Sequence, residues 1–211
     1  AVIVGGGLIG TLFSSLLDTN RFSIGPGPVP FDHGGPDNFR RQESVTAIAL
    51  SPDGSMIVTA AADHFVHDGN DTVQYFLQIY QVDQGSLSLM KSASPGGVAQ
   101  SVSALAWSPD NLHLAIGSKD GSIAIWNVGS AVALNNYIGS NGVVENIAWS
   151  PDGTLIASGG VSEALRVNKV DGTFVSSYTG YSTRANRFLS WSPDSTRVVT
   201  SYDSLSGQPS A

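Results

Sequence analysis

Residues 107–128 read WSPDNLHLAIGSKDGSIAIWNV. A Ser-Pro-Asp-Asn run follows Trp107, and an apolar stretch, LHLAIGS, starts at Leu112. Lys119-Asp120-Gly121 then separates it from SIAIWNV at 122–128. Proline presets φ at the second position of a tight turn, and Asp, Asn and Gly complete one. Short runs rich in β-branched and aromatic residues between such turns read as strands. With VSALAW at 102–107 in front, the stretch predicts three antiparallel strands in succession.

The pattern repeats. Ser-Pro-Asp begins at Ser51, Ser108, Ser150 and Ser192, at intervals of 57, 42 and 42 residues. Before each copy lies an apolar stretch: VTAIAL at 45–50, VSALAW, VENIAW at 144–149 and RFLSW at 187–191. After each lies another: SMIVTA from Ser55, LHLAIGS, TLIASGG from Thr154 and TRVVTS from Thr196. A third strand fits QIYQVD at 78–83 and ALRVNKV at 164–170, and a weaker fourth fits TFVSSYT at 173–179. Four strands in about 42 residues is the period of a β-propeller blade. The N-terminal AVIVGGGLIGTLFSSLLD at 1–18 overlays residues 112–129 without a gap, Gly10 on Gly121 and Leu12 on Ile123.

The predicted fold is therefore all-β, a β-propeller of four-stranded antiparallel blades, about four of them present. Blades are expected over 1–203: a partial blade with an inserted loop at 1–43, a blade with an inserted loop at 44–98, blades at 99–140 and 141–183, a partial blade at 184–203, and a flexible tail at 204–211. Composition agrees. Only three Glu (Glu43, Glu145, Glu163) and three Lys (Lys91, Lys119, Lys169) occur among 211 residues. These are common surface residues of helices, so helix is expected to be minor.

Composition also removes functional classes. The chain has no cysteine, which excludes a disulfide framework, a Cys-based zinc site and thiol catalysis. Its net charge of −7 argues against direct, sequence-independent nucleic-acid binding, which needs a basic face. No apolar run reaches the roughly 18 residues of a membrane helix. A chain that opens on Ala1 is expected to be processed, trimmed or part of a longer one.

WSPDNLHLAIGSKDGSIAIWNV and WSPDGTLIASGGVSEALRV (149–167) resemble the WD-repeat propellers. The resemblance covers nearly the whole chain apart from about 26–43, 62–72 and the tail after 203. It implies a disc of blades acting as a rigid interaction platform. Complete rings of that family usually carry seven or eight blades, so this chain would be a partial ring. The family's terminal dipeptide reads Trp126-Asn127 in the best blade, Tyr80-Gln81 in another and Asn168-Lys169 in a third, and no Gly-His pair precedes a first strand. Of the family's buried His–Asp–Ser/Thr–Trp network, the resemblance carries over Asp120 and Trp126, with Ser118 beside them.

Rival motifs are weaker. Gly5-Gly6-Gly7-Leu8-Ile9-Gly10 satisfies G-x-G-x-x-G after the apolar AVIV, the fingerprint of a dinucleotide-binding enzyme. That reading needs a helix and a second strand downstream, where Pro26, Pro28 and Pro30 stand instead. His64, His67, Asp68 and Asp71 form a polar cluster with too few imidazoles to read as a metal site. Trp107, Trp149 and Trp191 occupy one equivalent position, which reads as packing between neighbouring blades rather than a stacking platform. No cofactor and no catalytic group is expected. Asn70-Asp71-Thr72 is a glycosylation sequon that matters only in a secreted chain.

Departures from the 42-residue period point to where binding is built. The surplus falls in PGPVPFDHGGPDNFRRQE, 26–43, and in ADHFVHDGNDT, 62–72. Both read as loops on one face, opposite the Ser-Pro-Asp turns, on adjacent blades. Phe31, His33, Phe39, Arg40 and Arg41 in the first, with His64, Phe65 and His67 in the second, are the candidate partner-binding residues. Aromatics and Arg are typical interface anchors. The expected function is a non-catalytic protein–protein interaction scaffold inside a larger, intracellular assembly. The alternatives are an extracellular propeller binding a glycan or matrix ligand, and the enzyme reading of Gly5–Gly10.

Overall fold

The computed structural model describes residues 40–67, 70–83, 86–94, 101–130, 132–140, 142–160, 165–179 and 186–202. The overlay of 1–18, the Gly5–Gly10 motif, Phe31, His33, Phe39 and the tail 204–211 lie outside them. Regular structure among the described residues is entirely strand. In chain order the strands are β1 (Arg40–Leu50), β2 (Met56–His67), β3 (Asn70–Asp83), β4 (Ser86–Ala93), β5 (Val102–Trp107), β6 (His113–Ser118) and β7 (Ser122–Asn127). They continue with β8 (Val132–Ile138), β9 (Asn146–Trp149), β10 (Leu155–Gly159), β11 (Leu165–Lys169), β12 (Phe174–Tyr178), β13 (Asn186–Trp191) and β14 (Val198–Tyr202).

Three four-stranded sheets, β1–β4, β5–β8 and β9–β12, pair strictly in sequence order, and β13–β14 form a two-stranded sheet. Every pairing is antiparallel. Successive sheets meet through their first strands, β1 against β5, β5 against β9 and β9 against β13. The first strands thus lie innermost and the fourth outermost, as in consecutive propeller blades. The described sheets form part of a propeller rather than a closed ring.

Each Ser-Pro-Asp turn is tied by the same bonds. In the first, Ser51 Oγ donates to Asp53 Oδ1 (2.7 Å) and accepts from the Met56 amide (2.8 Å), while the Ser55 amide donates to Asp53 Oδ1 (3.0 Å). The sets at Ser150–Leu155 and Ser192–Arg197 match it. The residue after each Asp has positive φ: Gly54 at 74°, Asn111 at 61°, Gly153 at 74° and Ser195 at 59°. Glycine reaches this region without penalty and Asn at little cost, which is why these residue types recur there.

Apolar cores fill the spaces between blades. Val58, Leu77, Ile79, Trp107, Leu114 and Trp126 pack between the first and second sheets. Ala104, Ala115, Ile123, Ile125, Val144 and Ile156 pack between the second and third. At the last sheet the pattern stops. Val199 holds the place that Ala115 and Ala157 hold in earlier blades, where both are fully buried, yet it is 70% exposed.

The three strand-ending tryptophans span the blades. The indole N–H of Trp107 donates to the Ala49 carbonyl (3.1 Å), that of Trp149 to Ala106 (3.2 Å) and that of Trp191 to Ala148 (3.2 Å). Trp107 is buried, whereas Trp149 and Trp191 are half-buried. Packing between neighbouring blades leads one to expect all three buried, and only Trp107 is. Around Trp149 the second and third sheets part into a cleft, and among the described residues the last sheet has two strands.

Two segments read as loops are strands. Residues 40–43 belong to β1, and 62–67 and 70–72 belong to β2 and β3. Arg40 pairs with Val66, Arg41 with Phe65, Gln42 with His64 and Glu43 with Asp63. Phe65 pairs in turn with Thr72, and His67 with Asn70. The described parts of the two surpluses, 40–43 on one side and 62–67 with 70–72 on the other, therefore sit side by side in one sheet. The reason is hydrogen-bonding: surplus backbone from one strand meets surplus from its neighbours and satisfies its amides and carbonyls in a ladder.

Candidate functional site

Two features stand out on this scaffold, one at each end of the blades. The first is the ribbon just described. β2 and β3 run 12 and 14 residues, against six each for β6 and β7 in the next sheet. The difference of six to eight residues is about 20–27 Å of additional strand at about 3.3 Å per residue. Antiparallel pairing puts the β2–β3 connection at the end opposite the Ser-Pro-Asp turns. Of the candidate partner-binding residues, Arg40, Arg41, His64, Phe65 and His67 lie on this ribbon by backbone position. The signal available in sequence is Asp68-Gly69, since Asp-Gly favours a two-residue hairpin connection.

The second feature lies at the Ser-Pro-Asp end, and sequence reading missed it. A cleft of about 560 Å³ opens between the second and third sheets. Ile125, Leu134, Trp149 and Val170 give it apolar walls, and Asp110, Asp152 and Asp171 stand around it with His113 and Lys169. Two interblade bonds frame it: Trp149 to the Ala106 carbonyl, and Asn135 Nδ2 to the Val170 carbonyl (3.3 Å).

Its carboxylates are held ionised. Hydroxyl donation from Ser150 and amide donation from Thr154 keep Asp152 below the usual carboxylate value. The Thr173 hydroxyl and amide do the same for Asp171. At Asp110 partial burial pushes upward, and the Ser108 hydroxyl, the Leu112 amide and the neighbouring His113 outweigh it. His113 Nδ1 lies 3.2 Å from Asp110 Oδ2.

Asp120 accepts from the Ser122 amide (2.8 Å) at the tight turn where Gly121 has φ 87°, and Trp126 is buried between the first two sheets. Among the described residues no group of three or more His, Cys, Asp or Glu is placed to hold a metal ion, and no helix is long and apolar enough to cross a membrane.

Comparison with known proteins agrees with the repeated four-stranded sheets. Residues 38–67, 94–127 and 132–169 each match the WD40 family, described as WD domain, G-beta repeat. Three segments within residues 38–169 are thus WD40 repeats. No curated protein matches it. Among solved structures, it is similar to a chain of the mitotic checkpoint complex at a TM-score of 0.60 and 22% identity, covering 75% of this chain and 46% of that one. The WD40 repeats of RRP9 match at 0.57 and 22%, over 72% of this chain and 44% of that one. U3-55K matches at 0.57 and 24%, over 74% and 46%. The chain thus spans about half the length of these solved structures, and the likeness is one of fold.

Proposed function

We propose that this WD40 chain is a non-catalytic docking platform that holds protein partners within a larger assembly. Propellers of this fold generally dock proteins. The observation that carries the reading is the ribbon: three paired strands extend one blade well past the length of the next, on the end away from the Ser-Pro-Asp turns. Recognition is commonly built on segments that project from a rigid scaffold. An extension whose backbone is already hydrogen-bonded also loses less conformational entropy on binding than a loose loop.

The test is a variant with Phe39, Arg40 and Phe65 all changed to Ala, compared with the parent in affinity capture and quantitative binding to the captured partner. Folding should be retained, because alanine keeps the backbone pairing of Arg40 with Val66 and of Phe65 with Arg41 and Thr72. Binding should weaken by more than about 2 kcal/mol if one of them is a hot spot. Asp194→Asn, at the other end of the blades, should leave binding unchanged. Equal binding by the triple variant, with loss in the Asp194 variant, would overturn the assignment of the face.

A further inference from the structure

Neighbouring Ser-Pro-Asp turns are strapped together at two of the three described junctions. The Asp53 amide donates to Asn111 Oδ1 (3.3 Å), joining the first and second sheets. The Asp152 amide donates to Ser195 Oγ (3.0 Å), joining the third and fourth. In both cases the strap comes from the positive-φ residue of the following turn. At the junction between the second and third sheets that residue is Gly153, which has no side chain to reach the Asp110 amide. This unstrapped junction is where the cleft of about 560 Å³ lies.

We infer that this cleft is a second docking site, and that it takes the Arg or Lys side chain of an extended segment of a protein partner. Three observations converge on that occupant. The size falls within the roughly 300–1,000 Å³ of ligand pockets, ample for one long side chain and its neighbours. The walls are apolar, with Ile125 buried and the Trp149 ring contributing, which suits the methylene stem of a long cationic side chain and favours a cation beside an aromatic ring. The charge is one-sided: Asp110, Asp152 and Asp171 face a single fixed positive charge, Lys169, with His113 paired to Asp110. An acidic guest would be repelled and a purely apolar one would leave the carboxylates without a counter-charge. The site lies at the opposite end of the blades from the ribbon, so either reading can fail without the other.

Gly153→Asn is the discriminating variant. An Asn already occupies the equivalent position at Asn111 with φ 61°, and a Cβ on Gly153 would meet only Pro109 Cδ, at 3.9 Å. The new amide can strap the turn to Asp110 and narrow the mouth while the fold is kept. Gly54→Asn is the matched control: same backbone region, nothing within 4 Å of its Cβ, and no part in the cleft.

The probes are fluorescein-labelled acetyl-Leu-Arg-Ala-Leu amide and the same peptide with the neutral isostere citrulline or with Glu in place of Arg. Binding to the full chain is read by anisotropy. The Arg peptide should bind, and the citrulline and Glu peptides should bind at least about tenfold more weakly. Gly153→Asn should weaken the Arg peptide by about tenfold or more, and Gly54→Asn should not change it. Asp171→Asn keeps an acceptor for the Thr173 amide but removes a charge, and should weaken binding about two- to fivefold. It carries the test if Gly153→Asn fails to fold. Equal binding of the Arg and citrulline peptides, no binding of the Arg peptide, or parent-like binding by folded Gly153→Asn and Asp171→Asn would each overturn the inference.

Discussion

The indole N–H of Trp107 donates to the carbonyl of Ala49, 58 residues earlier, across the space between the first and second sheets. Trp149 and Trp191 repeat the bond onto Ala106 and Ala148, each 43 residues back. A side chain at the end of the innermost strand thus both fills the interblade core and supplies the hydrogen bond that fixes the blade's position against its neighbour.

Truncation of these rings should be felt in proportion to burial. Trp107→Ala is expected to lower unfolding free energy by about 3–5 kcal/mol, as for a large buried aromatic. The half-buried Trp149 should cost less. Trp107→Phe keeps most of the apolar area and loses one net hydrogen bond, so about 1–2 kcal/mol is expected. Denaturant titrations of the three variants check the order, and a Trp149 loss exceeding that of Trp107 would contradict it.

Stability should fall in acid rather than base. The Asp53, Asp152, Asp171 and Asp194 carboxyls are all held below their usual value by hydroxyl and amide donors. Because the folded values lie below the unfolded one of about 3.9, the contribution is fully present above that pH and is lost as pH falls through the folded values. Thermal melts should therefore be little affected by these groups between pH 7 and 5 and should shift downward below about pH 4. A melting temperature that stayed level to pH 3 would show that the turn carboxylates contribute nothing.

Two turn glycines should respond differently to alanine. Gly54 has φ 74° and open space around its Cβ direction, so Gly54→Ala meets only the left-handed backbone penalty of about 1–2 kcal/mol. At Gly121, with φ 87°, a Cβ would in addition collide with the Ser140 carbonyl oxygen. Gly121→Ala should be the more damaging, at about 2 kcal/mol or more. Equal melting temperatures for the two variants would show that the Ser140 segment yields freely.

The uncovered side of the last sheet should drive self-association. Phe188 is 57% and Val199 70% exposed, on a sheet whose equivalents pack against a neighbour. Exposed apolar patches of this kind promote association. Sizing chromatography of the chain should show oligomers or aggregates, and Phe188→Ser with Val199→Ser should raise the monomer fraction. A parent chain that ran as a single monomeric species would contradict this.

Much of the blade is legible residue by residue because its determinants are local. Ser-Pro-Asp followed by Gly, Asn or Ser specifies its own turn through bonds within five residues, and apolar runs on either side become the paired strands. Even the place of Trp107, Trp149 and Trp191 just ahead of each turn is visible in the repeat. The ribbon is different. Arg40-Arg41-Gln42-Glu43 carries no apolar alternation, and its strand character comes from pairing with residues 63–66, a non-local ladder that propensity does not register.

The cleft shows the same division at the site. That one turn has Gly153 where others have Asn111 or Ser195 is plain in the sequence, and by local chemistry all three are interchangeable occupants of a positive-φ position. Only the tertiary structure gives the difference a consequence. It brings the amides of Asp53 and Asp152 within reach of the next turn's side chain and leaves Asp110 facing a glycine. Sequence alone thus determined the turns, the blade period and the all-β class, since each rests on contacts a few residues apart. The ribbon and the open junction were decided by which turn and which strand lie beside which, because a hydrogen bond needs its partner about 3 Å away however distant it is along the chain.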